Sequence, residues 1–362
     1  MEPRQFFIEE RLELYRNHCQ CNLGESGYHA FTLGEVMDLA QVTVEDLREI
    51  PLYDSPNQGR EDLRAEIASL YPGVSANEVL ISTGTSEAIY LLFHLLLEEH
   101  SRVALYVPAF QALYEIPKML GATIIPVPIN ASLQAQDWMK VDADLFVINH
   151  PHNPTGLDFA PEEQTKLIEL LKTKNKPVLF DEHYRFLDRK NELGWSGVSP
   201  KERFFGTGSF TKCFGVTGLR VGWLIADETT IARARSFKDY LTHTVSPISE
   251  LLALKLMQNR KQFLQKIRTE VENNILYFQS RLSELKDILS LNEIHGGLVS
   301  FLKLREGLTS ESYADQLFQK TGVFVLPGKN FEREGFLRIG YGESHEKFKW
   351  GINEWIKFSH KT

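Results

Sequence analysis

Between Ser209 and Trp223 the chain reads Ser-Phe-Thr-Lys-Cys-Phe-Gly-Val-Thr-Gly-Leu-Arg-Val-Gly-Trp. Lys212 lies a short glycine-relieved turn ahead of Arg220, with Ser209 just before it. An amine able to form a Schiff base, beside groups able to hold a phosphate, is the equipment of pyridoxal phosphate (PLP) chemistry. A polar loop before a strand would read the same way, so the test is whether other residues supply the remaining partners.

Asp181 is the sharpest of these. It follows the apolar run Val178–Phe180, and a carboxylate ending a buried strand is costly without a cationic partner. A pyridinium nitrogen is such a partner, since an adjacent anion favours its protonated form. Tyr184 and the side-chain amide of Asn153, held between Pro151 and Pro154, can donate to a ring phenolate. Phe110, after Pro108, can cover an aromatic ring. Gly84-Thr85-Ser86-Glu87 opens a helix whose free N–H groups and dipole suit a phosphate, and Arg220 and Ser209 add to that seat. Arg338, in the short apolar run Phe336–Ile339, can fork onto a substrate α-carboxylate.

The elements that must position these residues follow one rhythm. Apolar runs at Val79–Ile81, Val103–Tyr106, Leu145–Ile148, Val178–Phe180 and Phe204–Phe205 alternate with helical stretches such as Ser86–Glu98 and Pro161–Lys174. That pattern predicts an α/β fold, a large and mostly parallel sheet with helices on both faces. Each run leads directly into one of the polar or aromatic clusters above. In open parallel sheets ligands bind beyond the carboxyl ends of the strands, so the clusters should converge in space. After Glu228 the chain turns helical, with a long helix around 259–285. The runs Leu298–Leu302, Val323–Leu326 and Leu337–Ile339 and a final helix near 344–359 then predict a smaller α+β domain. Residues 5–20 read as an amphipathic helix and 28–50 as a connection with one or two short helices.

The bulk numbers narrow the function classes. A chain of 362 residues with 43% hydrophobic content is long enough for one large core and a smaller domain. A net charge of −8 argues against nucleic acid or an anionic membrane surface as the main partner. No apolar run approaches a membrane span. Three cysteines, Cys19, Cys21 and Cys213, make neither a disulfide framework nor a zinc pattern, and no metal site is expected. The first residues do not resemble a signal peptide, and the chain reads as cytoplasmic.

Taken together, the motifs resemble the class I/II aminotransferases of PLP fold type I over nearly the whole chain. The family pattern Ser-x-Ser-Lys followed by Gly-x-Arg-x-Gly is met by Ser209, Lys212, Gly218, Arg220 and Gly222, with Thr211 in place of the second serine. Asn-Pro-Thr-Gly at 153–156, Asp-Glu-x-Tyr at 181–184, Pro327-Gly328 with Phe331, and the Arg338 run also match. The resemblance implies an enzyme that passes an amino group from an α-amino acid to a 2-oxo acid. It makes Lys212 the Schiff-base lysine, Asp181 the pyridinium partner, Tyr184 and Asn153 the ring-oxygen ligands and Phe110 the stacking ring. Thr85, Ser86, Ser209 and Arg220 become the phosphate cup, and Arg338, with Asn153, the substrate ligand. It further implies a homodimer with shared sites, in which Tyr53 reaches the neighbouring phosphate, at a spacing to Gly59 one residue longer than usual. The implied division is an N-terminal segment 1–50 packing on the small domain, a large domain 51–255 and a small domain 256–362.

A narrower resemblance points elsewhere. Glu25–His29, His150-Pro151-His152-Asn153-Pro154, and Asp239–Thr242 with Ser246-Pro247 are similar to capreomycidine synthase-like enzymes. Those remove a β-hydroxyl from an arginine derivative and close a ring, so a PLP-dependent lyase or cyclase acting on a substrate such as hydroxyarginine is the second expectation. Either enzyme's substrate pocket should be lined by the 22–31 loop, Tyr53 and the 240–247 segment.

Overall fold

The computed structural model describes residues 2–188, 192–290 and 297–360. Strand β1, Cys21–Asn22, comes first. Then β2 Val79–Ser82, β3 Arg102–Val107, β4 Thr123–Pro128, β5 Leu145–Asn149, β6 Val178–Asp181, β7 Phe204–Ser209 and β8 Gly222–Ile225 form one seven-stranded sheet. Its order is β2-β8-β7-β6-β5-β3-β4, and only β8 runs antiparallel to its neighbours. β5, β6 and β7 are buried along their whole length, as strands covered on both faces must be.

Two of these strands lie outside the expected set. β4, Thr123-Ile-Ile-Pro-Val-Pro, carries two prolines and stands at the sheet edge, where a missing N–H breaks no ladder. β8 is short and follows the Lys212 turn directly. It returns antiparallel between β2 and β7, so the turn from 210 to 221 is a tight reversal instead of a crossover.

The second sheet comprises β9 Leu289–Ser290, β10 Val299–Leu304, β12 Leu326–Pro327 and β13 Phe336–Gly340, in the order β12-β13-β10-β9. The expected strand 323–326 is split. β11, Val323–Phe324, pairs in parallel with β1, and β12 joins the second sheet. The early part of the chain is thereby fastened beside the late part. The helix Arg260–Arg281 packs against the last helix, His345–Ser359. The first helix is shorter than its amphipathic pattern, Phe7–Tyr15. Among the described residues no helix is long and apolar enough to cross a membrane.

Candidate active site

The turn after β7 is a plug of apolar side chains. Phe210, Cys213, Phe214, Val216 and Val221 are all buried, and Phe210 N donates to Val221 O at 3.1 Å, closing the reversal. Lys212 is carried on it beside the 22–31 segment. Tyr28 N donates to Lys212 O at 2.8 Å, and Phe31 N donates to Gly215 O at 2.9 Å. That segment also crosses β13, and it can do so only because Gly340 and Gly342 lack side chains: a Cβ at either would collide with the backbone of Glu25 or Gly27.

A cavity of about 890 Å3 opens here. Thr85, Ser86, Phe110, Asn153, Ser209, Lys212 and Arg220 all line it. Asp181, Tyr184 and Arg338 are buried and do not line it; Asp181 bonds the lining residue His183, and Arg338 bonds the lining residue Asn153. Asp181 is fully buried; it accepts from Thr207 Oγ1 at 3.0 Å and His183 Nδ1 at 3.1 Å on Oδ1, and from Asn149 Nδ2 at 3.1 Å on Oδ2. An isolated ion there would cost several kcal/mol, and charge-assisted bonds of roughly 1.5–3 kcal/mol each offset it. Arg338 NH1 donates to Asn153 Oδ1 at 3.2 Å and NH2 donates to Gly24 O. Asn153 N donates to Asn149 Oδ1 at 2.7 Å, so one asparagine aligns both the Asp181 carboxylate and the Asn153 backbone.

Charge and burial set the chemistry of the lysine. Desolvation lowers the Lys212 pKa, assisted by the positive charges of Arg338 and Arg220 and opposed by Glu25 and Glu9. The shift enlarges the neutral, nucleophilic fraction of the amine. Burial raises the Tyr184 hydroxyl, against the Arg338 charge and a contact with Ser26, so the phenol stays protonated and is a donor.

The residues present fit PLP on three observations. Tyr184 Oη, His183 Nε2 and Arg338 Nε are buried with no well-aligned hydrogen-bond partner among the described residues, as expected of groups reserved for a bound molecule. Gly84, at φ 78°, opens the helix Thr85–Leu96 with its first N–H groups free of a side-chain cap, and a Cβ on it would strike the Arg220 guanidinium. Helix terminus and arginine therefore lie together as an anion seat. Finally, Asp181 offers a buried, donor-held carboxylate to a cationic ring nitrogen.

Tyr53 is not brought to this cavity. It is 79% exposed, beside Pro247 and Leu251, and Tyr240 of the 240–247 segment is 86% exposed. Within one chain the expected pocket wall is thus only partly met: Asn22, Glu25, Tyr28 and His29 of the 22–31 loop line it, whereas Tyr53 and residues 240–247 do not. Thr207, Asn149 and His183 escaped assignment to the site, although each stands within a few residues of a motif. A buried threonine between two strand glycines was the readable signal for Thr207. A second cavity of about 920 Å3 lies between β3, β4 and the second sheet, lined by Pro108, Leu157, Phe301 and Phe331; it contains none of Lys212, Asp181 or Arg220.

Comparisons with known proteins give the family and the fold. Residues 20–352 match the family model for aminotransferase class I and II. Capreomycidine synthase of Streptomyces vinaceus is 26% identical over 354 aligned residues, covering 95% of this chain and 91% of that protein. An aspartate aminotransferase of Sulfolobus acidocaldarius is 27% identical over 325, covering 83% and 80%. The fold matches a PLP-dependent aminotransferase of Streptococcus suis with a TM-score of 0.90 at 24% identity, covering 100% of this chain and 99% of that one. It matches the PLP-dependent cyclase OrfR with a TM-score of 0.93 at 22% identity, covering 100% and 98%. The chain belongs to the aminotransferase class I and II family, whose cofactor is pyridoxal phosphate.

Proposed function

We propose that the protein is an aminotransferase that moves an amino group from an α-amino acid to a 2-oxo acid through Lys212. The observation that carries this reading is the convergence of five strand-end loops around one half-buried lysine, with Arg338 of the second sheet joined to them through Asn153. Arg220, Ser209, Thr85 and Ser86 would hold the phosphate of the cofactor; Asp181 would answer its ring nitrogen, Asn153 and Tyr184 its ring oxygen, and Phe110 would cover the ring. When bound, PLP supplies an electron sink for the charge left at the substrate Cα. Arg338 fixes the substrate α-carboxylate, which fixes Cα relative to Lys212. Lys212 Nζ would then take the Cα proton and deliver it to the cofactor carbon C4′, a general-base role suited to an amine whose pKa is lowered by desolvation. The test is spectroscopic. PLP-loaded protein should show a visible band that an amino-acid donor bleaches and a 2-oxo acid restores; retention of activity by Lys212→Ala would overturn the assignment.

A second reading, a lyase or cyclase acting on a substituted amino acid such as hydroxyarginine, draws on one feature of the cavity. Glu9 and Glu25 both line it, and their negative charge reaches both Lys212 and Arg338. Arg16 lies 3.2 Å from Glu9 and 3.5 Å from Glu25, offsetting part of that charge. A substrate anchored on Arg338 would meet carboxylates beyond it, which suits a cationic side chain. The similarity to capreomycidine synthase agrees. Turnover of hydroxyarginine without any 2-oxo acid would favour this reading, and a strict requirement for the 2-oxo acid would exclude it.

The working unit on this proposal is a homodimer. Leu52, Tyr53, Tyr240, Leu241 and Ile248 are exposed apolar side chains. The segments bearing them are fastened together: buried Lys238 Nζ donates to Asn57 O at 3.0 Å and to His243 O at 2.8 Å, and Asn57 bonds Asp239. A second copy covering this surface would place Tyr53 at its partner's phosphate. The division into 1–50, 51–255 and 256–362 draws support from the β1–β11 pairing, which fixes the early segment on the smaller domain.

A further inference from the structure

We propose that His183 is a positioning residue for Asp181, directing the ring nitrogen of the cofactor to one oxygen of that carboxylate; this rests on the PLP assignment above. An ionised carboxylate only accepts, at about four lone-pair sites. Asp181 Oδ1 takes two donors, His183 Nδ1 at 3.1 Å and Thr207 Oγ1 at 3.0 Å, while Oδ2 takes Asn149 Nδ2 at 3.1 Å. Oδ1 is thereby filled, and the remaining acceptor site belongs to Oδ2. That is where a protonated ring nitrogen is received.

The contact also fixes the imidazole. Because the Asp181 oxygen accepts, Nδ1 carries a proton, and Nε2 is the ring atom left to meet a bound molecule. Nε2 is buried without a protein partner among the described residues, and His183 belongs to the wall of the Lys212 cavity. A buried polar atom left bare is destabilising, so the arrangement is one that a bound molecule completes. His183 is tied in from its other side as well: its carbonyl accepts from Cys213 Sγ at 3.1 Å, next to Lys212. The histidine thus bridges the carboxylate and the lysine turn, its side chain serving Asp181 and its backbone serving the turn.

Side chain and backbone roles separate under substitution. His183→Leu keeps the bulk and the carbonyl but removes the donor; His183→Asn restores an N–H within reach of Oδ1. Titrating the apoprotein with PLP, followed by visible absorbance, should show His183→Leu weakened about tenfold or more with a displaced absorption maximum. His183→Asn should recover most of the affinity and the wild-type maximum. The thermal midpoint of each apoprotein monitors folding. Wild-type affinity and maximum in His183→Leu would overturn the proposal while leaving the cofactor assignment intact. Equal weakening in both variants, with equally lowered apoprotein midpoints, would overturn it in favour of packing. A wild-type protein that binds no PLP would overturn the cofactor assignment and this inference with it.

Discussion

Two regions carry expected site residues, and the fold treats them in opposite ways. The Lys212 turn is sealed: its apolar residues are buried, and it is laced to the 22–31 segment, nearly two hundred residues earlier in the chain. The surface bearing Tyr53 and Tyr240 is equally well braced from beneath, by Lys238, yet leaves large apolar side chains in water. An exposed apolar cluster held in place in this way suits the dimer proposed above. One region is packed by its own chain; the other, on the dimer proposal, is covered by a neighbour and lends Tyr53 to the neighbour's site.

Substitutions can break this contrast. The largest effect belongs to Lys212→Ala, which should cost about 10⁴-fold or more in turnover, since both the covalent and the proton-moving roles are lost; single-turnover absorbance measures it. Asp181→Ala should follow, at about 10²–10³-fold in kcat, with weakened PLP retention on gel filtration. Arg338→Ala should act chiefly on KM for the amino acid, by about 10–100-fold, the worth of a charge-assisted pair. It would contradict the assignment if KM stayed put while PLP affinity fell.

The outer region should answer more gently. Leu52→Glu on the exposed surface should shift sedimentation toward a monomer and lower activity in parallel, whereas Tyr53→Phe should cost only a few-fold in PLP affinity. Unchanged sedimentation and activity in Leu52→Glu would remove the case for a shared site.

The smallest effect is on stability. Burial lowers the Lys212 pKa in the folded apoprotein. The unfolded chain therefore binds more protons between that lowered value and about 10.4, and the stability withheld by the lysine returns as pH rises through this window. Lys212→Met apoprotein should be the more stable at neutral pH, by a margin that shrinks as the pH approaches 10. Thermal midpoints across pH 6–10 check the trend, and a constant margin would contradict it.

Much of the site was legible because parallel α/β sheets translate sequence order into spatial convergence. A short apolar run followed by Asp181, Asn153 or Phe110 places that residue at a strand end, and strand ends share one edge. The Pro161–Lys174 helix was readable to its bounds, with proline in the first turn and lysines in the last. β4 was hidden by its prolines, and β8 by lying so close to the preceding turn. Both were decided by pairing, β4 with β3 and β8 with β7 and β2, which local pattern does not encode.

The sequence alone determined the fold class and the residues available for chemistry, since periodicity and residue type are local properties. Tertiary structure decided what surrounds them. It set Thr207, Asn149 and His183 around Asp181, brought Glu9 and Glu25 toward Lys212, and left Tyr53 facing outward. Hydrogen bonding and electrostatics act over a few ångströms of space between residues far apart in the chain. Only the folded arrangement fixes which of them meet.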